Sequence, residues 1–200
     1  MSSSLQMAAE ARLPSRFGEF RIFAFEQRAG QQLDEAVALV MGELRPDDCP
    51  LYRIHSQCLT GDVFHSLRCD CRAQLEQAME QIAAEGKGLI VYEMKEGRGI
   101  GIVNKVRAYA LQDEGADTVE ANLQLGLDVD LRDYRLPAAI AQWFGLKQVR
   151  LMSNNPEKIA ALESAGIRVK RISAETDAGD QAEDYLRVKK EKLGHLIDGL

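Results

Sequence analysis

Three of the four cysteines fall in one short segment, HSQCLTGDVFHSLRCDC, at Cys58, Cys69 and Cys71, with Cys49 upstream. Thiolates clustered in this way hold Zn²⁺ tetrahedrally. Two plainer readings compete: small buried hydrophobes, or a disulfide pair. Disulfides persist in oxidising compartments, and the start of this chain has no apolar core of the signal-peptide kind. The Cys-Asp-Cys unit is also polar for core filler. The spacing leaves the ligand count open. Three thiolates with water in the fourth position would make a catalytic zinc, whereas Cys49, His55 or His65 as a fourth ligand would close the site and make it structural.

A second segment, GLIVYEMKEGRGIGIVNKVRAYAL over residues 88–111, reads as strand, loop and helix. Gly97, Gly99 and Gly101 let backbone approach a ligand closely, and a helix start beyond them offers unpaired N–H groups to an anion. Arg98 adds a planar cationic fork suited to phosphate. The loop is neither a Walker sequence nor a full G-x-G-x-x-G, and an ordinary tight turn with an exposed Arg is the alternative.

The surrounding pattern says what positions these groups. Residues 1–15, rich in Ser and Ala, read as a mobile arm. Strand-like runs follow at 20–26, 36–41 and 51–55, punctuated by Gly30 and by Pro46 with Asp47 and Asp48. From residue 72, Leu75, Ala78, Met79 and Ile82 recur at helical spacing until Gly86. Residues 88–92 form a buried-strand pattern and 103–115 a helix. Residues 149–152 read as a strand entering the helix start Ser153-Asn154-Asn155-Pro156. That helix runs to 165, a strand covers 167–172 and a helix covers 185–196. The order predicts an α/β (α+β) fold of mixed sheets with flanking helices in a single compact domain. The expected division is an arm at 1–15, a catalytic domain at 16–172 and a C-terminal tail with a helix at 173–200.

Composition sets the outer limits. At 200 residues, 46% hydrophobic and 28% charged, the chain is globular rather than disordered, collagenous or coiled-coil. No apolar run approaches the ~20 residues of a membrane span, so a cytoplasmic protein is expected. A net charge of −6 argues against coating nucleic acid. Residues 51–110 carry eight basic and seven acidic side chains, making the middle of the chain the part least hostile to an anion.

Several segments together resemble the GTP cyclohydrolase II family: His55-Ser56-Gln57-Cys58-Leu59-Thr60-Gly61-Asp62, Ser66-Leu67-Arg68-Cys69-Asp70-Cys71, Glu96-Gly97-Arg98, NKVRAYALQDEGADTVEAN, LRDY and SNNPEK. The similarity covers about residues 13–170 and, more loosely, the YLRVKKEKLGH tail. It implies a GTP cyclohydrolase II-like domain that opens riboflavin biosynthesis. GTP loses C8 as formate and releases pyrophosphate, leaving a diaminopyrimidinone that carries ribosyl 5′-phosphate. Cys58, Cys69 and Cys71 match the zinc ligands, with zinc activating water for attack at C8, and Mg²⁺ accompanies the triphosphate. Arg53, Ile54, His55, Ser56, Gln57, Gln74, Glu96, Gly97, Arg98, Thr118, Ser153 and Lys158 match nucleotide contacts. Asp130 and Arg132 match the proton acceptor and the proposed nucleophile, and Tyr109 a tyrosine near the zinc water. Outside that context Asp-Leu-Arg-Asp would be a surface ion-pair cluster. An Arg that only neutralises phosphate charge is the plainer role for Arg132. The family also implies a homodimer.

The chain departs from the family pattern at Gln57, where Glu is usual, at Arg72, where Gly is usual, at Leu123 for a frequent His and at Ser153 for Thr. Two other readings stand beside the main one: a paralogue giving a partial product or serving another pathway, and a non-catalytic zinc-stabilised nucleotide-binding module.

Overall fold

Alternation of large apolar and polar side chains along residues 18–41 suits an antiparallel hairpin with one face buried. In the computed structural model, which describes residues 4–29, 32–128, 130, 132–176 and 180–197 (side chains at 29, 32 and 180–186 lie outside that description), these residues form β2 (Gly18–Ala29) and β3 (Gln32–Met41). Phe23 and Phe25 of β2 and Ala36, Ala38 and Val40 of β3 are buried. The sequence-expected turn at Gly30 lies outside the described residues.

The described chain divides into two compact units rather than the single domain expected from sequence: Met1–His55, Glu76–Met94 and Asp133–Ala174 form unit 1, and Ser56–Leu75, Lys95–Arg132 and Glu175–Leu200 form unit 2. Unit 1 is built on a seven-stranded mixed sheet, adding β1 (Ser4–Ser15), β4 (Leu51–Ser56), β5 (Gly88–Glu93), β6 (Gln148–Met152) and β7 (Arg168–Ile172). The strand order is β1-β2-β3-β5-β4-β6-β7. β1, β2, β3 and β5 pair antiparallel, while β4, β6 and β7 pair parallel. β4 is flanked by strands on both sides, and its Leu51, Tyr52 and Ile54 are all buried. Such a continuous apolar run is what a strand covered on both faces requires. Only its last residue, Ser56, belongs to unit 2.

Helices α5 (Arg135–Trp143) and α6 (Pro156–Ser164) pack on this unit. In α5, Leu136, Ala138, Ile140 and Ala141 join the apolar core. The buried Tyr52 hydroxyl donates to Pro137 O at 2.8 Å, satisfying a group that would otherwise cost free energy to bury. In α6, Asn155 caps the first turn by accepting from Glu157 N–H at 2.8 Å, and Pro156 stands where its missing N–H is harmless.

Residues 4–15 correct the expected arm: they pair with β2 as an edge strand from Ser4 to Ser15, and Leu5 and Met7 pack against the core. Ser and Ala content concealed a strand that the β2 ladder stabilises. The expected tail at 173–200 is also divided differently, since Glu175–Leu200, including α7 (Asp180–Leu193), belongs to unit 2. The other elements of unit 2 are α1 (Leu59–Asp62), the start of α2 (Cys71–Glu85), a 3₁₀ turn at Glu96–Gly99, α3 (Gly101–Asp113) and α4 (Thr118–Gln124).

Candidate active site

The chain leaves β4 through Ser56 and Gln57 and turns at once into the four-residue α1. The Asp62 carboxylate accepts the Cys58 N–H at 3.0 Å, and Asp62 N–H donates to Cys58 O at 2.7 Å, closing the turn that carries Cys58. Cys71 opens α2, so Cys69 and Cys71 stand at a helix start. The three sulfurs lie within 4.8 Å of one another, with Cys58 Sγ and Cys69 Sγ 3.6 Å apart. Gly61 makes this convergence possible. A Cβ there would stand 3.0 Å from Cys69 Sγ and 3.1 Å from Cys58 Sγ, so any larger residue would push the sulfurs apart.

This donor set fits zinc. Zn–S bonds of ~2.3 Å in tetrahedral geometry place two thiolate sulfurs about 3.8 Å apart, and an all-sulfur set suits that ion. Among the described residues no fourth His, Cys or carboxylate joins the group. Of the candidate ligands considered from sequence, Cys58, Cys69 and Cys71 are the ones that the fold brings into one group. Cys58 is held well below the ordinary thiol value by hydrogen bonds from Cys69 and Cys71. Donating to Cys58 pushes Cys69 up to about 11 and also raises Cys71.

Arg72, one of the departures from the family pattern, points into the loop. It donates to Asp62 O at 3.0 Å and meets His65 Nε2 at 2.8 Å. Its guanidinium steadies the 62–65 turn, where His65 adopts a left-handed φ of 57°. Asp70, buried between the two cysteines, accepts from Gln74 Nε2 at 2.5 Å and from Lys189 of α7 at 2.8 Å.

The glycine loop supplies the second set of groups. Gly97, Arg98, Gly99 and Gly101 all have left-handed φ, at 61°, 61°, 94° and 81°. Arg98 is the costly member, since a bulky side chain rarely adopts that conformation. Glu96 Oε1 accepts from Gly97 N–H at 2.9 Å and from the Lys105 ammonium at 2.6 Å, while Oε2 accepts from Leu59 N–H at 2.6 Å. Lys105 also donates to Cys58 Sγ at 3.1 Å. Burial pushes this ammonium down, but Glu96 and Cys58 outweigh it and raise the pKa. Tyr109, one turn later on α3, has its hydroxyl 3.1 Å from Thr60 Oγ1, which is 3.7 Å from Cys58 Sγ. Burial raises the phenol, so it keeps its proton at neutral pH and can donate it in a hydrogen bond.

Asp130 and Arg132 form a forked pair. Arg132 Nε donates to Oδ1 at 2.9 Å and a terminal nitrogen donates to Oδ2 at 2.5 Å, while the other reaches Ser56 Oγ at 3.4 Å. Burial pushes the Asp130 carboxyl up, but the Arg132 hydrogen bonds prevail and lower it. Its stabilising contribution is therefore complete above the ordinary carboxylate pKa and is lost as pH falls through the lowered one.

Many of these groups line a cavity of about 390 Å³, within the size range of small-molecule sites. Its lining lies wholly in unit 2 and includes Ser56, Gln57, Glu96, Gly97, Arg98, Tyr109, Thr118, Arg132 and the three cysteines. Arg68, Lys95, Arg98, Lys105 and Arg132 face it against the carboxylates Glu96 and Asp117, so it favours a polyanion. Gln74, Asp130 and Arg72 are not in the lining; Gln74 donates to Asp70, and Asp130 accepts from Arg132. Thr118 starts α4 under a capping box made by Asp117 and Glu120, and its hydroxyl accepts from Gln112 at 2.9 Å.

Sequence reasoning did not single out Lys105, Gly61 or Val188 of α7, which also lines the cavity. The four-residue spacing from Lys105 to Tyr109, which puts both on one helix face, was the available signal for the first.

Five expected nucleotide contacts are in unit 1. Arg53 donates to Met152 O at 2.9 Å, and Lys158 donates to Ile54 O at 2.8 Å. His55 stacks on Tyr92 with centroids 5.3 Å apart. Ser153 Oγ accepts from Asn155 N–H at 3.1 Å. The ladder of β4 and β6 and the first turn of α6 bring these five together.

Comparison with known proteins points one way. Residues 6–174 match the family described as GTP cyclohydrolase II. The chain is 50% identical over 198 residues to GTP cyclohydrolase-2 of Neisseria meningitidis serogroup A, covering 98% of this chain and 99% of that protein. It is 50% identical over 196 residues to GTP cyclohydrolase-2 of Histophilus somni, covering 98% and 90%. It is 48% identical over 197 residues to the riboflavin biosynthesis protein RibBA of Chlorobium phaeovibrioides, covering 98% of this chain and 48% of that one.

Proposed function

The chain belongs to the GTP cyclohydrolase II family, and on that premise we infer that it hydrolyses GTP to formate, pyrophosphate and a diaminopyrimidinone carrying ribosyl 5′-phosphate, the first step of riboflavin biosynthesis. The observation that carries this reading is the meeting, in one cavity, of three thiols spaced for zinc with five cationic side chains.

Cys58, Cys69 and Cys71 would hold the zinc, which supplies Lewis acidity to activate water for attack at C8. The Tyr109 hydroxyl, beside Thr60 and the cysteine group, orients water or the purine ring. Arg98 and the loop N–H groups bind phosphate oxygens, which carry Mg²⁺. Ser56, Gln57, Gln74, Glu96, Gly97 and Thr118 serve the nucleotide in unit 2, and Arg53, Ile54, His55, Ser153 and Lys158 in unit 1.

Asp130 fixes Arg132 for work at the α-phosphorus, as proton acceptor beside a nucleophile or phosphate clamp. Arg132→Ala stops both products if Arg132 forms a covalent link to the nucleotide that ring opening requires. Substantial activity in Arg132→Lys would limit Arg132 to charge neutralisation.

The residues 16–172 that bear most family motifs act together with the 173–200 segment in this reading. The enzyme works as a homodimer in the cytoplasm. Exposed apolar side chains such as Phe64, Leu67, Val103 and Val106 offer surface for a second copy, and no described helix is long and apolar enough to cross a membrane.

Incubation with GTP and product analysis tests the reading. Formate and pyrophosphate together support it. One without the other would indicate a partial-reaction paralogue, and neither would leave a zinc-stabilised nucleotide-binding module.

A further inference from the structure

One of the cations lining the unit 2 cavity, the part-buried Lys105, touches the cysteine group itself. Lys105 donates both to a sulfur of the cysteine group, Cys58 Sγ at 3.1 Å, and to Glu96 Oε1 at 2.6 Å. Its side chain is 11% exposed and that of Glu96 is 8% exposed. The other Glu96 oxygen accepts from Leu59 N–H at 2.6 Å, and Leu59 follows Cys58 directly. A single ion pair therefore grips the Cys58 turn twice, once by its sulfur and once by its backbone, and fastens it to the glycine loop. The second buried ammonium, Lys189, differs: it reaches the Asp70 carboxylate at 2.8 Å.

The charge balance gives Lys105 its purpose. Three thiolates around a divalent cation leave one net negative charge, and the buried Glu96 carboxylate adds another. Lys105 is the positive group in hydrogen-bond contact with both. Without it, Glu96 would be a buried anion close to an anionic cluster, an arrangement that low dielectric penalises heavily.

The geometry points to Lys105 as a positioning residue for the metal centre, holding the Cys58 sulfur in place and offsetting the negative charge of the cluster and of Glu96. This rests on the zinc reading of the three cysteines. It does not require that GTP be the substrate.

The test measures zinc affinity of the full-length protein by chelator competition, with no nucleotide present. The absorption of the cobalt-substituted protein is the second readout. Lys105→Met should weaken zinc binding roughly 10–100-fold, the usual effect of losing a partner of a metal ligand, and shift the thiolate-to-cobalt absorption band. Lys105→Arg, which keeps charge and donors, should recover most of both. If the Met variant does not fold, Lys105→Gln takes its place with the same expected loss. Wild-type affinity and an unshifted band in the Met or Gln variant would overturn the proposal, as would an Arg variant no better than Met. Wild-type protein that binds no zinc would instead overturn the metal reading beneath it.

Discussion

The two units bury different things. The buried positions of the unit 1 sheet are mostly apolar, and Phe144 packs edge-on against Phe23, Phe25 and Trp143, with Phe23 and Phe144 centroids 5.2 Å apart. Its buried cations Arg53 and Lys158 donate to backbone carbonyls. Unit 2 buries Asp70 with Lys189, and Glu96 with Lys105, beside thiols. Buried ion pairs add little stability over apolar packing of the same volume, whereas apolar burial contributes about 25 cal/mol per Å². The main apolar cluster lies in unit 1, whereas the thiols and these two ion pairs lie in unit 2.

Substitutions should separate the two. The largest effect belongs to Cys69→Ser, which removes one of three sulfur ligands. Zinc content should fall to near zero and formate release below detection, with the β-sheet signal in circular dichroism unchanged. Zinc retained in this variant would refute the ligand assignment. Leu151→Ala, in the fully buried centre of β6, should do the reverse. Denaturant unfolding should show a loss of about 2–5 kcal/mol, while turnover per folded molecule stays at the wild-type level.

A smaller effect is expected at Arg98. Losing a charge-assisted phosphate contact costs roughly 1.5–3 kcal/mol, or about tenfold or more in affinity. Arg98→Ala should therefore weaken GTP much more than guanosine. Because both ligands meet the same variant, any cost to the fold cancels, and an equal loss for both would mean that Arg98 does not touch phosphate. The smallest effect is expected at Cys49, which belongs to unit 1 and contributes its backbone carbonyl to Arg150 at 3.0 Å. Cys49→Ser should leave metal content as it is, and a fall in zinc would add a fourth ligand to the site.

Elements with a clean period were legible from sequence. The helix of residues 71–85 and the strands at 51–56, 88–93 and 148–152 announce themselves by apolar spacing and flanking glycines. β1 did not, because its Ser- and Ala-rich alternation becomes a strand only when β2 provides the ladder. No helix was expected over Arg135–Trp143. Pro137 stands in the first turn, where backbone N–H groups have no partner within the helix. The spacing of the cysteines suggests a metal site but leaves its ligand count open, and the roles of Asp130 and Arg132 come from the family resemblance, since the spacing alone suits a surface ion pair. Lys105 could not be read from spacing, since its contacts to Cys58 and Glu96 come from folding across 47 and 9 residues. Arg72 looked like a charge added beside a metal ligand, and the fold instead turns it onto Asp62 O and His65.

The central claim is that the chemistry of GTP ring opening resides in the three-thiolate group of unit 2. Its most direct test removes zinc with a chelator from the purified wild-type protein and follows formate release from GTP, then restores the metal in measured steps. The account predicts that formate release stops on removal and returns in proportion to zinc, reaching its maximum at one ion per chain. Formate release that continues at the original rate in zinc-free protein would contradict it.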